Sequence, residues 1–150
     1  MKISLGCDHG GFIAKEELKK YLENKRYEVF DVGTNSSDSC NYAEFGLKAA
    51  ELVANKTCDF GVVICSSGEG ISIAANKVCG VRCGIAYNDD VALLIRQHND
   101  CNMVSFGAKF MSISDIIRRT DIFLNTSFEG GRHNARVDTI KNFENNKKVE

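Results

Sequence analysis

The sequence predicts a single α/β domain built on a parallel sheet, and three observations carry that reading. Short β-type runs alternate with longer amphipathic segments along the chain. The length of 150 residues is the usual size of one domain, and 43% apolar with 26% charged residues is ordinary for a soluble globular protein. Neither an internal repeat nor a Ser/Gly-rich linker divides the chain, and proline is absent.

Taken in order, residues 3–6 form a first strand that runs into the polar loop Cys7-Asp8-His9-Gly10-Gly11, with a helix over 11–25 behind it. Strand 28–32 is followed by a helix over 43–55, on which Ala43, Leu47, Ala50 and Ala54 share one stripe. Strand 60–64 ends at Cys65-Ser66-Ser67-Gly68-Glu69-Gly70-Ile71, which opens a helix over 70–78. Strands 81–86 and 103–106 alternate with helices 89–98 and 112–124, and a last helix covers 132–145. Five strands and six helices fit the length. Residues 141–150, rich in Asn and Lys, are expected to fray.

A net charge of −1 gives no general attraction to nucleic acid or to an anionic membrane, both of which favour a clearly basic surface. The N-terminus lacks the apolar core of a signal peptide, and no stretch approaches the roughly 18 apolar residues of a membrane span, so a cytoplasmic protein is expected. Seven cysteines without a C-x-x-C do not make a disulfide framework. Count alone permits zinc at Cys79-x-x-x-Cys83, but the intervening residues lead into an apolar run, so buried free thiols rank above metal.

In open α/β sheets, ligands bind beyond the carboxyl ends of the strands. Two polar, glycine-rich loops face that edge, after the first and third strands. The second opens a helix, where outward N–H groups and the positive end of the dipole suit an anion, an oxyanion or a thiolate. Cys65 at that place can act as base or nucleophile, against the alternative of a buried structural cysteine. A dinucleotide fingerprint would need glycine where Ile73 stands, and a tyrosine-phosphatase loop would need arginine where Ile71 stands.

Positive charge gathers instead at Arg96-Gln97-His98-Asn99 and at Gly130-Gly131-Arg132-His133-Asn134-Ala135-Arg136. Arg132 and Arg136 are four apart, so they share a helical face and can fork around a phosphate, although two arginines on a helix are by default a solvated surface. His9 and His98 are ambiguous alone. Together with the thiol, Asp8 and the arginine pair they supply the parts for anion binding and proton transfer.

These motifs, with Asp31-Val32-Gly33-Thr34 and Glu129-Gly130-Gly131-Arg132-His133, run in order from the first strand into the last helix. Over nearly all its length the chain resembles the ribose-5-phosphate isomerases of type B. The resemblance implies a Rossmann-like three-layer α/β/α sandwich with a five-stranded parallel sheet and no metal or organic cofactor. It also implies homodimers, or tetramers made of two, whose active sites are shared, with His98 and Asn99 coming from the partner. The activity implied interconverts D-ribose 5-phosphate and D-ribulose 5-phosphate. His98 with Asp8 would assist ring opening, Cys65 would move the proton between C2 and C1, and Ser67 would anchor the reacting oxygens. Backbone N–H groups from Ser66 through Gly68 to Gly70 would stabilise the enediolate. His9, Arg132 and Arg136 would grip the phosphate, with Lys109 reaching in from the other subunit.

Several positions depart from the family pattern. Lys109 stands for a usual arginine and loses its bidentate fork; Ser66-Ser67 replaces Gly-Thr; Tyr42-Ala43 replaces Tyr-Pro; and Glu69 replaces a small apolar residue, where it acts as a helix N-terminal acid. Isomerases of galactose 6-phosphate or allose 6-phosphate share the same resemblance. The galactose enzymes divide their catalytic groups between two different subunits, whereas this chain carries Cys65, His98, Arg132 and Arg136 together, favouring a homo-oligomer and a pentose phosphate. A non-catalytic phosphosugar-binding module would have no need of the thiol.

Overall fold

Five strands, β1 (Lys2–Cys7), β2 (Glu28–Asp31), β3 (Phe60–Cys65), β4 (Cys83–Ile85) and β5 (Met103–Gly107), pair in parallel in the order β2-β1-β3-β5-β4. The computed structural model describes residues 1–147. Its helices are α1 (Phe12–Asn24), α2 (Tyr42–Ala54), α3 (Glu69–Asn76), α4 (Asp89–Gln97), α5 (Ile113–Leu124) and α6 (His133–Lys147).

The period-2 alternation of the strands builds two cores, one on each face of the sheet. Ile3, Leu5, Val62, Ile64, Val104 and Phe106 pack with α1, α4 and α5. Val63, Cys65 and Met103 point the other way, toward α2 and α3. The result is the three-layer α/β/α sandwich and all-parallel sheet expected from the sequence. Near the middle of the first face, the Lys15 side chain is fully buried, and its ammonium donates to Asp31 at 2.9 Å.

Three elements differ from their sequence reading. On α2 the buried residues are Gly46, Ala49, Ala50 and Val53, while Leu47 is exposed. Close approach decides this: a Cβ added at Gly46 would lie 3.0 Å from Ile71, and one at Gly6 would lie 2.9 Å from Ala49, so the small residues face the neighbours. Strand β4 is only three residues long, because Val81 closes a turn onto Val78 and the Arg82 N–H is taken by the Asn102 side chain. Helix α6 continues to Lys147, through residues expected to fray; positions 148–150 lie outside the described residues.

This topology fixes what can meet at each edge. The strands on either side of the switch in order, β1 and β3, are adjacent, with Cys7 in register with Ile64. The loops after β1, β3 and β5 therefore gather at the carboxyl edge. The end of α4 returns to the amino edge, where the Asn99 carbonyl accepts from Arg82 just ahead of β4. Six residues of β3 at about 3.3 Å each separate the two edges by roughly 15 Å or more.

Candidate active site

The chain leaves β3 at Cys65, and Gly68 takes φ +80°, the left-handed conformation that lets the loop turn sharply into α3. A Cβ at Gly68 would sit 2.8 Å from the Phe106 carbonyl carbon, so the loop lies flat on β5. Ser105 holds it there, its hydroxyl donating to the Gly68 carbonyl at 2.6 Å. The turn aims the Gly68 N–H back at Cys65, whose Sγ accepts it at 3.1 Å. Elsewhere, burial pushes the thiols of Cys7 and Cys83 up to about 12 and those of Cys58 and Cys101 up to about 11, so these stay protonated. Cys79 is exposed while Cys83 is buried on β4.

The neighbouring residues divide the work. Ser66 and Ser67 are exposed, and the Ser67 hydroxyl accepts from the Glu69 N–H at 3.2 Å, which places Glu69 in the first turn of α3. Gly70 lies under the Tyr42 ring. Asp8 is buried, and its Oδ1 accepts from the N–H groups of Gly10 and Gly11 at 2.9 and 3.2 Å, shaping the first loop. The Cys40 N–H donates to His9 Nδ1 at 3.2 Å, so a neutral His9 carries its proton on Nε2 and acts as a donor there. From the loop after β5, the Lys109 N–H donates to the Ser66 carbonyl at 3.0 Å.

The remaining predicted residues sit at the amino edge. His98 caps the end of α4, and its ring stacks on that of His133, with centroids 4.2 Å apart and planes at 14°. The Glu129 N–H donates to the Gln97 carbonyl at 3.0 Å, and the Glu129 carboxylate lies 3.3 Å from His133 Nε2. Arg132 and Arg136 are exposed beside this cluster, and Arg136 donates to the Arg132 carbonyl at 2.6 Å. Asn99 follows His98 at the same edge.

Within one chain these residues divide between the two edges of the sheet. Asp8, His9, Cys65, Ser66, Ser67, Gly68, Gly70 and Lys109 share the carboxyl edge, and His98, Asn99, Arg132 and Arg136 share the amino edge. Within one chain, His9 and Lys109 lie at the carboxyl edge and Arg132 and Arg136 at the amino edge. Lys109 travels with Cys65 because β5 pairs with β3, and the arginines travel with His98 because Glu129 is tied to the end of α4.

His98, Glu129 and His133 also have ligand atoms all within 4.8 Å of one another. An imidazole lone pair lies in the plane of its ring, and two nearly parallel stacked rings share no point in both planes. The stack is therefore not a metal cage as it stands. Sequence reasoning passed over Ser105 and the contact of Cys40 with His9, and it quoted Glu129 and His133 within a motif without giving either a role. A polar serine within an apolar strand was the one readable signal among them.

A cleft of about 720 Å³ begins at Ser67 and Glu69 and runs past Ser72, Tyr87, Phe110 and Met111. Tyr87 and Phe110 are 65% and 75% exposed, which leaves large apolar rings open beside the thiol loop.

Known proteins share this architecture. The family described as Ribose/Galactose Isomerase matches residues 3–140. Ribose-5-phosphate isomerase B of Escherichia coli is 42% identical over 139 residues, 93% of each chain. The solved structure of ribose-5-phosphate isomerase B from Clostridium thermocellum superimposes with a TM-score of 0.95 at 43% identity, covering 100% of both chains. The Mycoplasma genitalium enzyme, solved with bound ribulose-5-phosphate, gives 0.93 at 35% identity over 96% of both. With a family match spanning nearly the whole sequence and relatives alike from end to end, the chain belongs to the ribose/galactose isomerase family.

Proposed function

We propose that this chain interconverts D-ribose 5-phosphate and D-ribulose 5-phosphate, with Cys65 as the general base. The observation that carries the proposal is the Cys65 thiol held against the Gly68 N–H at the mouth of a helix, in the loop that borders the cleft. The thiolate takes the proton from C2 of the open-chain aldose, the C2–H electrons form the C1–C2 double bond and the C1=O pair moves onto O1; a proton passes from O2 to O1, and as C2=O forms the double-bond electrons take the thiol's proton at C1. Outward N–H groups of residues 66–70 oppose the charge that grows on the sugar oxygens, a device worth about a hundredfold to a thousandfold in rate per donor. Ser67 anchors those oxygens.

His98 and Asp8 open the furanose, and His9, Lys109, Arg132 and Arg136 hold the phosphate. Since His98 and the arginines lie at the far edge of their own chain, the working site forms between two copies in a homodimer or a tetramer of two dimers. The exposed Tyr87 and Phe110 support such an apolar contact. Seven unpaired cysteines fit a reducing, cytoplasmic setting, and among the described residues no helix is long and apolar enough to cross a membrane.

Purified protein offered ribose 5-phosphate, allose 6-phosphate and galactose 6-phosphate side by side is expected to turn over the pentose phosphate fastest, without added metal. Preference for a hexose phosphate would move the substrate assignment within the family. No turnover of any of the three would leave a binding module.

A further inference from the structure

We infer that His133, held by Glu129, is the positioning residue for His98 and so controls the ring-opening half of the reaction. The inference rests on the proposed role of His98. His98 sits at the loose end of α4, where only its backbone N–H is tied, to Leu94 at 2.8 Å. Its half-exposed side chain makes no hydrogen bond among the described residues, so the direction of the imidazole is set by what it stacks against. That surface is the ring of His133, 4.2 Å away and within 14° of parallel.

His133 is itself well anchored. It is 7% exposed, begins α6, and donates its backbone N–H to Gly130. The Glu129 carboxylate lies 3.3 Å from Nε2, within reach of the ring. Glu129 is in turn bound through its N–H to Gln97, the residue before His98. The contacts form a closed circuit: Gln97 to Glu129, Glu129 to His133, and His133 back onto His98. A surface histidine with no role for its neighbour would need neither the stack nor the carboxylate.

The chemistry separates this role from a merely structural one. Ribose 5-phosphate enters as a furanose, whereas ribulose 5-phosphate cannot close a furanose, because its C5 oxygen carries the phosphate. Proton exchange at C1 of the ketose therefore needs the base and the oxyanion donors but no ring opening.

The test compares wild type, His133→Ala, His133→Phe, Glu129→Gln and His98→Ala by two readouts. One is kcat and KM for ribose 5-phosphate, and the other is NMR-detected deuterium exchange at C1 of ribulose 5-phosphate in D2O. Loss of positioning predicts that His133→Ala lowers kcat on ribose 5-phosphate about tenfold or more while exchange into the ketose stays within about twofold of wild type. His133→Phe, which keeps a ring to stack on, should recover most of that loss, and the exposed Glu129→Gln should show a smaller loss of the same selective kind. Equal losses in both readouts in Glu129→Gln and His133→Ala, or no rescue by His133→Phe, would overturn the inference. If His98→Ala shows the selective loss and His133→Ala behaves as wild type, the inference alone falls. If His98→Ala leaves both readouts unchanged, the ring-opening role of His98 falls and this inference with it.

Discussion

The Cys65 Sγ accepts the backbone N–H of Gly68 at 3.1 Å, and Gly68 can offer it only because its φ is +80°. The setting of the thiol and the geometry of the loop are thus one feature. A residue with a Cβ at position 68 pays both the left-handed conformation and a collision with β5 at 2.8–2.9 Å. Gly68→Ala is expected to lose about 2–4 kcal/mol from these two sources. Thermal denaturation would show it as a fall in Tm of roughly 5–15 °C, and a steady-state assay as reduced turnover.

Cys65→Ala removes the proposed base and leaves the loop's backbone donors and the proposed phosphate ligands. Turnover of ribose 5-phosphate is expected to drop at least about a hundredfold, with phosphosugar binding by calorimetry nearly retained. An unchanged rate would remove Cys65 from the mechanism.

The division between the two edges predicts a particular pattern of complementation. If Cys65 of one copy works with His98 of another, mixing inactive Cys65→Ala with inactive His98→Ala and allowing subunits to exchange rebuilds one intact site per mixed dimer, about a quarter of the wild-type rate. Lys109→Ala and Arg132→Ala should complement in the same way, because Lys109 lies with Cys65 and Arg132 with His98. Lys109→Ala mixed with Cys65→Ala should not. Failure of the first pair to recover activity would mean that each site is built within one chain.

Below the carboxyl edge, Asp31 holds the fully buried ammonium of Lys15. Burial by itself would lower the Lys15 pKa, but the hydrogen bonds to Glu16 and Asp31 outweigh it and raise the group above its usual 10.5. Asp31→Asn leaves that charge short of its partner at neutral pH. Because Glu16 still pairs with the ammonium, chemical denaturation should register a loss of about 1–3 kcal/mol, below the usual cost of leaving a buried charge with no partner.

Stability should also fall on the alkaline side. Burial raises Cys83 to about 12 and Cys101 to about 11, from an ordinary 9.0. Below pH 9 both states keep these protons and stability does not depend on them. Above it the unfolded chain releases protons that the fold retains, so each thiol costs about 1.4 kcal/mol per pH unit until its folded pKa is passed. Denaturant melts between pH 8 and 11 should show that decline, reduced in Cys83→Ala.

The alternation of short apolar runs with amphipathic segments was enough to determine an α/β domain with a parallel sheet, because strand and helix periods are local properties of the chain. Cys65 and Gly68 were legible for the same reason: a thiol and a glycine between a buried strand and a helix start can be read from neighbours in sequence. The face of α2 was not, since Leu47 and Ala49 both fit an apolar stripe and only the close approach of Gly6 and Ile71 selected the smaller one. Nor could spacing reveal that Lys109 stands by Ser66 while Arg132 stands by His98, or that His133 stacks on His98. Those relationships depend on which sheet edge each loop returns to. Strand order is settled by long-range pairing, a choice that no local run of residues contains.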